Sequence, residues 1–355
     1  MHGGKKNRVS DVTFSYTDIQ VYFSRKPIRD RPRNPRLKLF PFRATGGWPW
    51  ISAMNTPAPL IAYLLPALVG CLFALIGVGY RLGQARGVGT PTVVLYMALA
   101  GTVVFAVRSF GLPIGEVPAR VWVLGIAAGL SQYATIKLCA AALERGPLSP
   151  LWCALNMVFV PVILYARVAF GETLSPLKIV GILVAIASVV SASKGQGSTD
   201  GKPGGGAVYF AILISATLGN AVLHGSIKDL GAHLTPDNIP LMTKFGDLFL
   251  LLLYASLGLP IAVELIVTRT RGVFAPAAIG TGAMAAFGSL AGFFLMGVCA
   301  SYPAVLVSTL SAIFSLMGGS LASVLFFGER ATKWWWIMMG LAATAVIMVS
   351  VPARP

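Results

Sequence analysis

Thr90-Pro91, Met97, Gly101 and Gly111-Leu112-Pro113-Ile114 recur in the same order as Thr235-Pro236, Met242, Gly246 and Gly258-Leu259-Pro260-Ile261. Further on, Leu138-Cys139-Ala140 is echoed by Val298-Cys299-Ala300, and Phe170-Gly171-Glu172 by Phe327-Gly328-Glu329. The spacing drifts by only a few residues between copies. Both copies lie in strongly apolar sequence. A duplicated apolar segment is the pattern of membrane carriers built from two related halves.

Composition fixes the class. The chain has 355 residues, 56% of them hydrophobic and only 11% charged, and its mean hydropathy is +0.76. Soluble domains carry about 25% charged residues. Ten apolar spans follow from residue 57 onward, roughly 58–80, 91–109, 120–142, 148–169, 175–193, 207–227, 239–265, 275–298, 303–326 and 334–351. A bilayer core needs roughly 20 apolar residues of helix, and backbone in lipid must satisfy its own hydrogen bonds, so the spans are expected to be helices. The alternation of a membrane barrel is absent. The expected fold is an all-α membrane protein of ten transmembrane helices.

The hydrophilic stretch around 194–206 is rich in glycine and divides the spans five and five, with one repeat copy on each side. The expected domains are therefore 57–193 and 207–352, joined by a flexible linker. An odd number of helices per half makes the second half enter the membrane from the opposite side, so the repeats are expected to be inverted.

The net charge is +16, and residues 1–53 supply half of it, with 11 Lys/Arg against 3 acids. That segment is expected to be a disordered basic tail; the alternative is a misassigned start upstream of Met54. A basic tail faces an anionic leaflet or fixes orientation, so no nucleic-acid partner is expected. The four cysteines lie in apolar runs without metal-ligand spacing, and no metal or cofactor is expected. No G-x-x-x-x-G-K-[ST] loop, His-Glu-x-x-His or Gly-x-Ser-x-Gly occurs, so an enzyme is not expected.

A charge inside a membrane helix costs about 2.5–3.5 kcal/mol at its centre and calls for a role and a partner. Lys137 and Asp247 lie inside spans, and neither is duplicated in the other repeat. The expectation is that they face one cavity, Lys137 attracting a carboxylate or phosphate and Asp247 an amine or proton. Against this stand snorkelling, and pairing of Lys244 with Asp247 on one helix face. Asn156, Asn220 and His224 are secondary pathway candidates, with Gln132 and Tyr133 beside Lys137; His224 is of a type that titrates near neutral pH. Glu172 and Glu329 each precede a helix, where a carboxylate suits the positive end of the dipole, with Ser175 and Thr332 as caps.

The run Ala140-Ala-Ala-Leu-Glu-Arg-Gly-Pro-Leu-Ser-Pro150, then Phe170-Gly-Glu-Thr-Leu-Ser175 and Gly181, resembles the drug/metabolite transporter superfamily, and within it the EamA-like branch. The second copy reads Cys299-Ala-Ser-Tyr-Pro303, Phe327-Gly-Glu-Arg-Ala-Thr332 and Gly340. In that family each half carries a Gly-Glu pair between its fourth and fifth helices, the positions of Gly171-Glu172 and Gly328-Glu329. Two departures stand out: Trp334-Trp335-Trp336 opens the last span, and the first span lacks the acidic residue of the four-helix multidrug exporters.

The resemblance implies a secondary transporter of small organic solutes (amino acids, other metabolites or drugs), expected to export them by alternating access around a central cavity. It also implies a bacterial inner membrane with both termini cytoplasmic. A coupling proton, membrane lipids and a homodimer are the partners left open. The alternatives are a lipid or lipid-linked-sugar flippase and, from another class, a membrane receptor or scaffold.

Overall fold

The computed structural model describes residues 60–145, 151, 154–195, 207–270, 272–327 and 331–351. The basic tail, the glycine-rich linker, Gly328 and Glu329 lie outside the described residues. The elements below all belong to the unit Ala53–Pro355.

Helices dominate. In chain order they are α1 (Ile61–Ala85), α2 (Thr90–Arg108), α3 (Ala119–Arg145), α4 (Phe159–Phe170), α5 (Pro176–Gly195), α6 (Ala207–Ala232), α7 (Leu241–Val267), α8 (Pro276–Val298), α9 (Ala304–Phe327) and α10 (Lys333–Ser350). Strand pairing among the described residues is limited to one isolated bridge, Leu234 with Pro240. α1, α2, α3, α6, α7, α8 and α9 are long and apolar enough to cross a membrane; Ala154–Phe170, Pro176–Ser191 and Lys333–Val349 are shorter apolar helical stretches. Large apolar side chains face outward, among them Phe110, Val168, Ile266 and Phe326, a surface that lipid would cover and water would not. The chain is an all-α protein of the integral membrane type.

The apolar spans and the helices coincide closely except in the fourth. The sequence predicts one helix over 148–169, but the chain turns at Met157 and Val158 and α4 starts only at Phe159. Pro161 has no N–H to give to the Met157 carbonyl. Tighter bonds from Met157 N to Ala154 O and from Val160 N to Met157 O replace the regular ladder.

Packing follows small residues. α1 lies between α8 and α9, α2 packs on α7 and α8, α3 on α6 and α7, and α5 on α10. A Cβ on Gly101 of α2 would collide with the Tyr254 ring of α7, and one on Gly70 of α1 with the Ser311 carbonyl of α9. Such contact between backbones is the usual way helices associate without a hydrophobic driving force. One core gathers Val94, Phe105, Phe249, Tyr254 and Ala285 from α2, α7 and α8; a second gathers Phe159, Ala185, Ile313 and Ala345 from α4, α5, α9 and α10.

Candidate functional site

The last two turns of α6 are buried on every side. Leu223, His224, Ser226, Ile227, Lys228, Asp229, Leu230 and Gly231 are all buried. A helix segment hidden all round should be wholly apolar, yet this one carries two formal charges.

Asp229 is 3% exposed and accepts three hydrogen bonds: from Arg120 Nε at 2.5 Å, from Arg120 Nη2 at 2.8 Å, and from Tyr165 Oη at 2.5 Å. Arg120 starts α3 and Tyr165 sits on α4. The planar guanidinium matches both carboxylate oxygens, which a lysine could not do. His233, one turn further along, stands 3.7 Å from the same carboxylate.

Lys228 points to another side. Its Nζ lies 2.7 Å from Glu172 Oε1 and donates to the Tyr302 carbonyl at 2.8 Å. The other oxygen of Glu172 accepts from Ala304 N, the first residue of α9, at 2.9 Å. Gly171 closes α4 in the left-handed conformation, φ +66, and this turn delivers Glu172. Glu172 was expected to serve the start of the helix that follows it. It serves the start of α9 instead. The caps behave as expected: Ser175 Oγ accepts from Lys178 N at 3.4 Å, and Thr332 receives Trp335 N at 3.4 Å.

The predicted pathway residues divide into separate groups. Lys137 pairs with Glu264 of α7 at 2.6 Å, and Tyr133 Oη donates to the same carboxylate at 3.3 Å. Gln132 Nε2 donates to Asn220 Oδ1 at 2.9 Å, joining α3 to α6. Asp247 pairs with Arg108 at 2.9 Å. Asp247 and Glu264 share α7, about 25 Å apart by helical rise, so the structure does not bring Lys137 and Asp247 to one cavity. Each charge found a nearer partner of opposite sign. Lys244 does not pair with Asp247 either; it reaches Asp237 at 3.3 Å and Glu116 at 3.5 Å. Asn156 is half-buried just before α4.

His224 lies one turn before Lys228 and is 8% exposed. Phe73 and Phe293 stand edge-on to its ring, with centroids 6.1 and 6.3 Å away. His224, Lys228, Met296, Cys299, Tyr302 and Ser308 line a small cavity where α6, α8 and α9 meet.

The sequence reading passed over Arg108, Arg120, Tyr165, Lys228, Asp229 and Glu264. The available signal was the Lys228-Asp229 pair, which is followed by Leu230-Gly231-Ala232 and so lies inside a helix that has not ended.

Set beside known proteins, the chain matches no family model and no curated protein. It does match solved structures. One, described only as "Crystal structure of protein", superposes with a TM-score of 0.62 over 82% of this chain and 99% of its own, at 16% identity. At that identity the likeness speaks for the fold alone.

Proposed function

We propose that this protein is a secondary transporter, an exporter of small organic solutes, built from two inverted five-helix halves, α1–α5 and α6–α10, and working by alternating access. The supporting observation is the pattern of helix pairing. Exchange α1 with α6, α2 with α7, α3 with α8, α4 with α9 and α5 with α10. The contacts then map onto one another: α1 on α8 becomes α6 on α3, and α3 on α7 becomes α8 on α2. The α2–α7 and α5–α10 pairs map onto themselves. A pseudo-twofold axis has this property, and repeat transporters place their solute at such an axis.

The ion pairs support the same reading. Arg108–Asp247, Arg120–Asp229, Lys137–Glu264, Lys228–Glu172 and Lys244–Glu116 each join one half to the other. Ties across the two halves are what a rocking motion must break and remake. Three shorter helical stretches, Ala154–Phe170, Pro176–Ser191 and Lys333–Val349, complete ten spans on this reading.

The test is a solute-resistance and accumulation screen in cells overproducing the protein, followed by flux in proteoliposomes for each solute that scores. A solute-specific export that disappears in Asp229→Asn and Lys228→Met supports the reading. Lipid scrambling without solute flux would replace it with a flippase.

A further inference from the structure

We propose that His224, Lys228 and Ser308 bind the carboxylate of a singly charged solute, which takes Lys228 over from Glu172; the cavity between them, about 10 Å³, has room for no more than a water, so the carboxylate enters the place that Glu172 leaves. The inference rests on the transport reading above and names the class of solute for it.

Three polar side chains face this cavity with hydrogen-bonding capacity unspent. His224 is more than nine-tenths buried, and its ring nitrogens have no hydrogen-bond partner among the described residues. Its nitrogens are not sealed off from the cavity, so a water or a ligand group there can satisfy them. Ser308 is 5% exposed, and its hydroxyl has no partner among the described residues either. Lys228 carries three N–H donors; one reaches Glu172 and one the Tyr302 carbonyl. Each of the three can therefore donate to one acceptor, and Lys228, which can only donate, requires one.

Charge selects which acceptor. Lys228 and Glu172 together are neutral in a nearly dry environment. A monoanion that replaces Glu172 on Lys228 gives the ammonium one negative partner while Glu172, 19% exposed, turns its carboxylate to solvent, whereas a dianion leaves one negative charge uncompensated and a cation meets the ammonium directly. The Phe73 and Phe293 rings packed edge-on to His224 keep that side of the imidazole apolar.

Replacement of Glu172 has a structural consequence. Glu172 belongs to the first half, while Lys228 and Ala304, which hold it, belong to the second. A bound carboxylate therefore loosens a tie between the halves, so that occupancy of the site favours the opening that moves the solute.

The experiment uses the full chain in lipid nanodiscs with 15N-labelled histidine. The chain has three histidines, His2, His224 and His233, and His224→Gln identifies the resonance wanted. Benzoate is the probe, with benzylamine and inorganic phosphate as comparators. Benzoate is expected to shift His224 saturably. Lys228→Met weakens binding by at least about tenfold, the worth of one charge-assisted hydrogen bond. Glu172→Gln tightens it by removing the competitor. Ser308→Ala, which leaves the ion pair intact, weakens it several-fold and serves if Lys228→Met does not fold. A His224 resonance unmoved by benzoate, an unchanged affinity in both Glu172→Gln and Ser308→Ala, or stronger binding of benzylamine or phosphate would each overturn the proposal. The two readings fail separately. Benzoate binding at His224 without flux of any solute removes the transport reading and leaves the site, and flux without a His224 shift does the reverse.

Discussion

Asp229→Asn is the sharpest perturbation of the tie between α6 and the first half. The carboxylate receives three donors on two oxygens. Asparagine with its oxygen at the Oδ1 position keeps the bonds from Arg120 Nη2 and Tyr165, loses the one from Arg120 Nε, and sets an N–H₂ donor against that Nε–H. Breaking a fully buried pair costs about 3–5 kcal/mol. Here the Arg120 side chain is 45% exposed and stays hydrated, which brings the lost bond and the opposed donors to about 1 kcal/mol each. On the proposed alternating-access reading, the closed arrangement should therefore lose about 2 kcal/mol, and the population open at this end should rise by about 30-fold. Cys299 is the reporter: it is buried, and it lines the cavity beside Lys228. With Cys71, Cys139 and Cys153 replaced by alanine, alkylation of Cys299 by a maleimide should accelerate by a similar factor, provided that opening limits the reaction. Unchanged alkylation with a lowered melting temperature would refute the reasoning, for Asp229 would then hold the fold together without holding the halves closed.

Arg120→Lys keeps the charge but loses the fork, and should give a smaller acceleration, consistent with about 1 kcal/mol. Gly101→Ala should destabilise the protein by about 2 kcal/mol in a detergent thermal melt, because Tyr254 cannot swing away: its hydroxyl is held at 2.7 Å by Ser289. Thr332→Ala should cost about 1 kcal/mol in the same melt by removing the cap of α10. Lys137→Met should change stability by less than about 1 kcal/mol, since the Lys137 side chain is 47% exposed. Any large loss of flux in that variant is then an effect on transport, and unaltered flux in both Lys137→Met and Asp247→Asn would remove those residues from the pathway.

The helices were legible because hydropathy and helix length are local properties. Spans and helices agree to a few residues, and the exception at Met157 follows from Pro161, a residue whose effect falls one turn upstream of itself. Partners were not legible. Lys137 and Asp247 drew notice because they interrupt apolar runs, but what decides their role is Glu264 and Arg108, each near the end of a helix where a charge looks like ordinary interface. Lys228 and Asp229 were lost for a related reason. The apolar pattern of span six fades at residue 227, while the helix runs on to Ala232. Burial of those turns is created by α3, α4, α8 and α9, elements far away in sequence.

On the proposed transport reading, the charges also bear on how two similar halves can have a preferred state. An inverted repeat by itself gives the two ends of the protein the same scaffold, and so gives no reason for one end to be shut. The repeat register that equates Thr90 with Thr235 sets Lys228 opposite Gly83 and Asp229 opposite Gln84, so this pair has no counterpart in the first half. Arg108–Asp247, Arg120–Asp229, Lys228–Glu172 and Lys244–Glu116 gather where α2, α4 and α6 end and α3, α7 and α9 begin, and Lys137–Glu264 lies toward the other end of α3 and α7. The unequal distribution breaks the degeneracy of the scaffold. Among these ties, Lys228–Glu172 is the one with little exposure on both partners, 9% and 19%. Solvent screens it least, so on that reading its breakage carries the largest share of the switching energy. A ligand acting at Lys228 therefore acts where the equilibrium between the two ends is most sensitive.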